Sequence, residues 1–277
     1  MSPLNRVYIY TDLPSPSLSV EDVRDYLVSL GIATEVRGGF FGLLGLDSTS
    51  AEALASTLAS TVVDDIERSL DELVVGGGAA AEERVAREVS YISGGAASYP
   101  SSPRVLYDGN WLQRIFHTRL AAATEPGELY GPDVHLIFTG RLFVTYEGRR
   151  YHARVVLAGG GAAAPGMIST SGLVEGPARP REYYMAKAAL LRSGRDASEL
   201  DEIFKGRYLN YDDPLVTPAM KSYALQAIFS QAIGAEFCTV PTCPLFNSHW
   251  QEEVIRAQVE GRLCGGCELK LRKMLEG

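Results

Sequence analysis

Apolar positions alternate between two rhythms along this chain. Residues 6–10 (Arg-Val-Tyr-Ile-Tyr) form a β-branched and aromatic run that predicts a strand. Val20, Val23, Leu27 and Leu30 then recur at helical spacing, headed by Ser19 with Asp22 three residues on and stopped by Gly31. Residues 32–36 predict a second strand, so the chain opens as a β-α-β unit. Residues 51–73 and 79–92 predict two helices, and residues 108–117 start another that carries Trp111, Ile115 and Phe116. In the middle, residues 134–138, 141–146 and 151–157 alternate as strands, with a hairpin turn at 147–150, and residues 167–171 are again extended. Pro180 leads into a helix with an apolar stripe from Tyr183 to Leu191, and residues 196–210 are polar and partly helical. Thr217 and Pro218 read as the cap and first position of a helix running to Ile233 and closed by Gly234. That helix is apolar nearly all round, with Met220, Ala224 and Ala227 on one side and Leu225, Ile228, Phe229 and Ala232 on the other, so it predicts a core element. A turn into a further helix through Gln258 follows.

These elements predict one α/β (α+β) domain over residues 1–277, a mixed β-sheet flanked by helices. The Gly, Ser and Pro rich stretch 93–103 is the one candidate for an internal boundary. The first β-α turn has no Gly-rich phosphate loop, and Gly76-Gly-Gly78 is not followed by the Lys-Ser/Thr of a phosphate clamp, so nucleotide binding is not supported. Glu175, Arg179, Arg181 and Glu182 crowd the start of the 181–191 helix and read as a local ion-pair network.

Composition narrows the class. The 277 residues are 46% hydrophobic and 22% charged, which is globular composition. A formal net charge of −8 argues against a general phosphate-backbone binder, although Lys270, Arg272 and Lys273 make one segment locally basic. No apolar run is long enough for a membrane span, and residues 1–10 lack the features of a secretory signal, so a cytoplasmic protein is expected.

All four cysteines fall in one segment, as Cys238-x4-Cys243, about twenty residues of spacer, then Cys264-x2-Cys267. Two knuckle-like pairs at this separation are the arithmetic of a tetrahedral four-thiolate zinc site, and residues 238–267 form the expected zinc-binding subregion. A redox pair would need only one Cys-x2-Cys, and a reducing compartment favours metal ligation over disulfides.

Read with the helix before it, this segment resembles the archaemetzincin branch of the metzincin zinc peptidases. Metzincins carry H-E-x-x-H-x-x-G-x-x-H, in which three His hold the catalytic zinc and the Glu is general base. Archaemetzincins add four cysteines around a second, structural zinc. Gly234 matches the motif glycine, four residues before Cys238, and the four cysteines match the structural ligands with a slightly longer spacer. In the register set by Gly234, the first His position holds Ala227, the Glu position Ile228, the second His Gln231 and the third His Phe237, while Leu245 stands at the Met position. The resemblance covers residues 227–277 and implies a metzincin-like fold with one structural zinc on Cys238, Cys243, Cys264 and Cys267. It implies no catalytic residue, because every catalytic ligand and the base are replaced; a peptide or protein is the class of partner such a scaffold would take.

Two other readings stay open at this stage. His249 with Glu252 and Glu253 has a spacing that can bind metal, which would make a relocated hydrolase site, though a solvated helix face is the simpler account. A zinc-stabilised interaction module is the other. His135 and His152 fall in predicted strands and read as core or cross-strand residues, and no G-x-S-x-G elbow is present.

Overall fold

The computed structural model describes residues 3–13, 15–68, 70, 79–93, 105–159, 163–196, 199–235 and 237–277. Its elements in chain order are β1 (Val7–Asp12), α1 (Val20–Ser29), β2 (Thr34–Gly39), α2 (Phe40–Leu43), α3 (Ser48–Ala59), α4 (Ala79–Ile92), β3 (Leu106–Asp108), α5 (Gly109–Ala123), α6 (Pro126–Leu129), β4 (Val134–Thr139) and β5 (Leu142–Glu147). They continue with β6 (Arg150–Ala153), β7 (Val156–Leu157), β8 (Gly166–Ser169), α7 (Thr170–Glu175), α8 (Arg181–Arg192), α9 (Glu199–Ile203), α10 (Val216–Ile233), α11 (Gln251–Val254), a π-helical turn Ile255–Val259, and α12 (Gly265–Glu276). The fold is mixed α/β, as the hydrophobic rhythm implies.

The strands divide over two sheets. One has the order β2-β1-β4-β8-β7, parallel except for the antiparallel edge strand β7. The other, β3-β5-β6, pairs β3 parallel and β6 antiparallel to β5. Side-chain alternation in the larger sheet sorts its residues onto two cores. Val7, Ile9, Leu136, Phe138 and Ile168 face α1, α10 and α12. Tyr8, Tyr10, Ile137 and Met167 face α2, α3 and α5. Burial of these two faces is the main term holding the layers together, at roughly 25 cal/mol per Å² of apolar surface removed from water.

Four expected segments differ from the sequence reading, one of them the extended run 167–171, which ends at Ser169 where α7 begins. The helix expected over 51–73 stops at Ala59, because the β-branched run Thr61-Val-Val63 turns to pair with β3: the Val63 amide donates to the Leu106 carbonyl (2.8 Å) and that of Asp108 to Thr61 (2.8 Å). The strand expected over 151–157 is two strands in two sheets; the chain crosses between them where the Arg154 amide donates to Phe143 (3.1 Å) and the Ser169 amide to Val155 (2.7 Å). Thr217 and Pro218 lie inside the first turn of α10, whose N-cap is Leu215. Thr217 instead uses its hydroxyl to hold the segment before α1, donating to the Ser17 carbonyl and accepting from the Ser19 amide, each at 2.8 Å. The glycine triplet 76–78 and most of the 93–103 stretch lie outside the described residues.

A buried ionic cluster, which nothing in the hydrophobic pattern announces, joins the two sheets to α4. Arg141 donates through Nε to Asp12 (2.8 Å) and through Nη1 to Glu88 (2.7 Å), with all three side chains at 0–1% exposure. Tyr107 donates to the other Glu88 oxygen at 2.6 Å, and Thr139 to Asp12 at 2.8 Å. Among the described residues, no helix is long and apolar enough to cross a membrane.

Candidate metal centre

The centre is assembled from two chain segments that α10 brings together. Helix α10 closes at Gly234, whose φ of +59° is the left-handed conformation that costs glycine nothing. The chain then turns through Cys238, whose amide donates to the Leu245 carbonyl at 2.8 Å, while the Cys243 amide closes a turn on Val240 at 3.0 Å. The second pair sits at the start of α12: Cys264 is its N-cap, and the Cys267 amide donates to the Cys264 carbonyl at 2.9 Å. Gly261 lets the two pairs approach. A Cβ there would stand 2.2 Å from the Ala257 carbonyl and 2.4 Å from that of Thr242, inside the first knuckle.

The four Sγ atoms lie within 4.8 Å of one another, and those of Cys238 and Cys264 are 3.7 Å apart. A tetrahedral zinc with bonds of about 2.3 Å sets its sulfurs about 3.8 Å apart, whereas a disulfide needs about 2.05 Å. All four cysteines are free thiols. The donor set therefore fits a single metal ion, consistent with one structural zinc, with all four positions taken by protein and none left for water or substrate. Among the described residues this is the one group of three or more metal-ligating side chains brought together.

Electrostatics distinguish the thiols. The Cys267 backbone N–H beside its sulfur holds the Cys264 thiol down at about 7. Burial pushes the Cys243 and Cys267 thiols up. A metal replaces protons on the buried pair and relieves the cost of deprotonating them.

Polar side chains that carry no sequence signal lock this knuckle to α10. Gln226 Nε2 donates to the carbonyls of Pro244 (2.8 Å) and Phe246 (3.1 Å), and Gln258 Nε2 to that of Phe246 (2.8 Å). Ser222 Oγ donates to the Gln258 carbonyl at 2.7 Å. Each satisfies a loop carbonyl that burial would otherwise leave unpaired. Ser222 and Gln226 are hidden among the apolar residues of α10, and Gln258 lies in the π-helical turn.

On α10, the residues counted back from Gly234 serve packing. Ala227 and Ile228 are completely buried in the core with Leu136, Phe138 and Ile168. Gln231 donates its amide to the Ala164 carbonyl. Phe237 is 54% exposed, while Leu245 is buried in the core. None of the four histidines (His117, His135, His152, His249) lies on this helix. The grouping of His249, Glu252 and Glu253 does not converge either. Glu253 accepts from the His249 and Trp250 amides at 2.8 and 3.2 Å, acting as a helix cap. Glu252 pairs with Arg207 at 2.7 Å. His135 is a core residue stacked on Tyr8 (5.1 Å between centroids), and His152 sits opposite Thr145 across the β5–β6 ladder. The charges around the start of α8 go to different partners: Glu182 joins Arg207, Arg179 stacks on the Tyr183 and Tyr208 rings, and Glu175 accepts from Tyr211.

A family model described as "Probable metallopeptidase family (DUF6775)" matches residues 3–274. Two solved structures are similar. A zinc-dependent peptidase from Methanocorpusculum labreanum (strain Z) aligns over 96% of this chain and 99% of its own, with 13% identity and a TM-score of 0.42. Archaemetzincin from Methanopyrus kandleri aligns over 99% and 97%, with 9% identity and a TM-score of 0.46. Likenesses this distant carry no inference about chemistry. No curated protein matches the chain.

Proposed function

We propose, from the premise that the chain belongs to the family described as "Probable metallopeptidase family (DUF6775)", that it is a family member without the family-type peptidase activity, built around one structural zinc. The zinc is held by Cys238, Cys243, Cys264 and Cys267, and its role is to fasten the knuckle and α12 to α10. The observation that carries this reading is the state of α10. The helix that leads into the four-thiolate cluster offers Ala227 and Ile228 to the core and Gln231 to a backbone carbonyl, so it presents no imidazole and no carboxylate to a metal or a water. Loss of three ligands and the base together leaves no route to a zinc-activated nucleophile. A single domain over residues 1–277 in the cytoplasm fits this reading, since thiolate zinc sites persist where disulfides do not form. What remains is a binding role for a peptide or protein partner, with the acidic overall charge weighing against nucleic acid.

Metal counting tests the proposal. Purified protein should carry one zinc per chain, with thiolate-to-metal absorption when cobalt replaces it, and no chelator-sensitive cleavage of unstructured peptide substrates. Two zinc ions per chain with chelator-sensitive cleavage would overturn it.

A further inference from the structure

A second site lies on the other side of the larger sheet, away from α10. Helices α3, α4 and α5, with the segment after α3, border a half-open cavity of about 590 Å³, within the range of small-molecule sites. Each helix turns one stripe to it. Trp111, Arg114, Ile115, Thr118 and Arg119 fall at i, i+3, i+4, i+7 and i+8 along α5, while Leu112, Phe116 and Leu120 on the opposite stripe are buried. The cavity-facing stripe of α5 is thus amphipathic, and of its side chains Ile115 also packs against the core behind it. Val62 and Val85 extend the apolar wall, and Trp111 remains 40% exposed.

The charge of the wall is unusual for this protein. Among the described lining residues, Arg84, Arg114 and Arg119 stand against one carboxylate, Asp64, which Arg84 engages. Among the described residues, Arg114 and Arg119 have no carboxylate partner; Arg114 rests on the Trp111 ring at 5.0 Å. Two guanidinium groups thus border a largely apolar cavity without an ion-pair partner among the described residues, in a chain of net charge −8. Guanidinium groups favour carboxylates in paired geometry, and an apolar wall of this size favours a hydrocarbon body.

We propose that this cavity binds an amphipathic carboxylate, its anionic head on Arg114 and Arg119 and its hydrocarbon chain along Val62, Val85, Trp111 and Ile115. The site is independent of the zinc centre and of the state of α10.

Titration calorimetry of the full chain with decanoate tests it, with tryptophan emission of a Trp250→Phe background reporting on Trp111. Decanoate should bind one per chain with Kd in about the 10–100 μM range. Octanoate should bind more weakly by about fourfold for each methylene removed. The double substitution Arg114→Gln/Arg119→Gln, at one exposed and one half-buried position, should weaken decanoate at least tenfold without changing the circular dichroism spectrum. Octylamine, of similar length and opposite charge, should not compete. The proposal is overturned by the absence of saturable binding up to about 1 mM, by octylamine competing as well as octanoate, or by an unchanged Kd in the double arginine variant.

Discussion

Replacing Ile228 by glutamate asks directly whether α10 borders a cleft or a core. Ile228 is completely buried among the apolar side chains of the α10-facing core. A carboxyl group at that position cannot stay charged without partners, so it should hold its proton, as buried glutamates with pKa near 8–9 do. Taking a proton from water at pH 7 by a group whose unfolded pKa is about 4.3 costs about 3.7 kcal/mol. Lost isoleucine packing adds roughly 1–2 kcal/mol, for a total of about 5 kcal/mol. For 277 residues the unfolding entropy is about 0.58 kcal/mol per kelvin, so the melting temperature should fall by about 9 °C. Ile228→Gln, similar in volume and uncharged, is the reference. The folded-state pKa is raised, so the native state holds a proton that the unfolded state releases above about pH 4.3, and stability relative to the glutamine variant falls as pH rises. The gap between the two should open by about 1.4 kcal/mol per pH unit from pH 5 to 7 and stay flat below pH 4. Urea unfolding of both variants at several pH values measures it, and the zinc site, common to both, cancels. A shift below about 2 °C with no pH-dependent gap would refute the reasoning, because the carboxylate would then be reaching water and α10 would flank an open cleft.

The other predictions follow from the zinc centre, the buried charges and a turn. Zinc uptake by the metal-free protein at pH 7 should release at least two protons per ion, because burial keeps the Cys243 and Cys267 thiols protonated until the metal displaces them; calorimetry in buffers of different ionisation enthalpy counts them. The same burial makes affinity fall as pH drops, since protons then compete for the sulfurs. Arg141→Met should destabilise by about 3–5 kcal/mol in denaturant titrations, as it leaves Asp12 and Glu88 buried without their counter-charge. Arg149→Gly should stabilise slightly, by about 0.5–1 kcal/mol, because Arg149 holds φ at +66° in the β5–β6 turn; thermal unfolding that shows a loss would contradict it.

What the sequence made legible follows from how local each signal is. The four cysteines announce themselves by spacing, and α10 by apolarity on every side, since both patterns are complete within a few dozen residues. The opening β-α-β unit is equally local. The end of α3 was not legible, because Thr61-Val-Val63 leaves the helix for a partner more than forty residues away, in β3. Nor was the break between β6 and β7, where a continuous strand-like run changes sheets at Arg154 and Val155. Arg141, Asp12 and Glu88 look like surface charges in sequence and meet only when β1, β4 and α4 are in place. The same distance hides Gln226 and Gln258, whose partners are backbone carbonyls of the knuckle.

The knuckle reaches further than its own loop. Helix α12, which begins at the Cys264 pair, places Leu271 and Met274 in the core, and its Met274 carbonyl receives the Leu4 amide at 2.9 Å, beside the start of β1. A ribosome releases Leu4 long before it makes Met274. Full cover of the early β-α-β unit, which takes α12 as well as α10, therefore waits until synthesis has passed residue 274, and under the proposed zinc centre the placement of α12 waits for a metal too. Cellular zinc supply would then act on this protein as a condition of maturation, and starvation for it would be felt first by newly made chains and only later by those already folded.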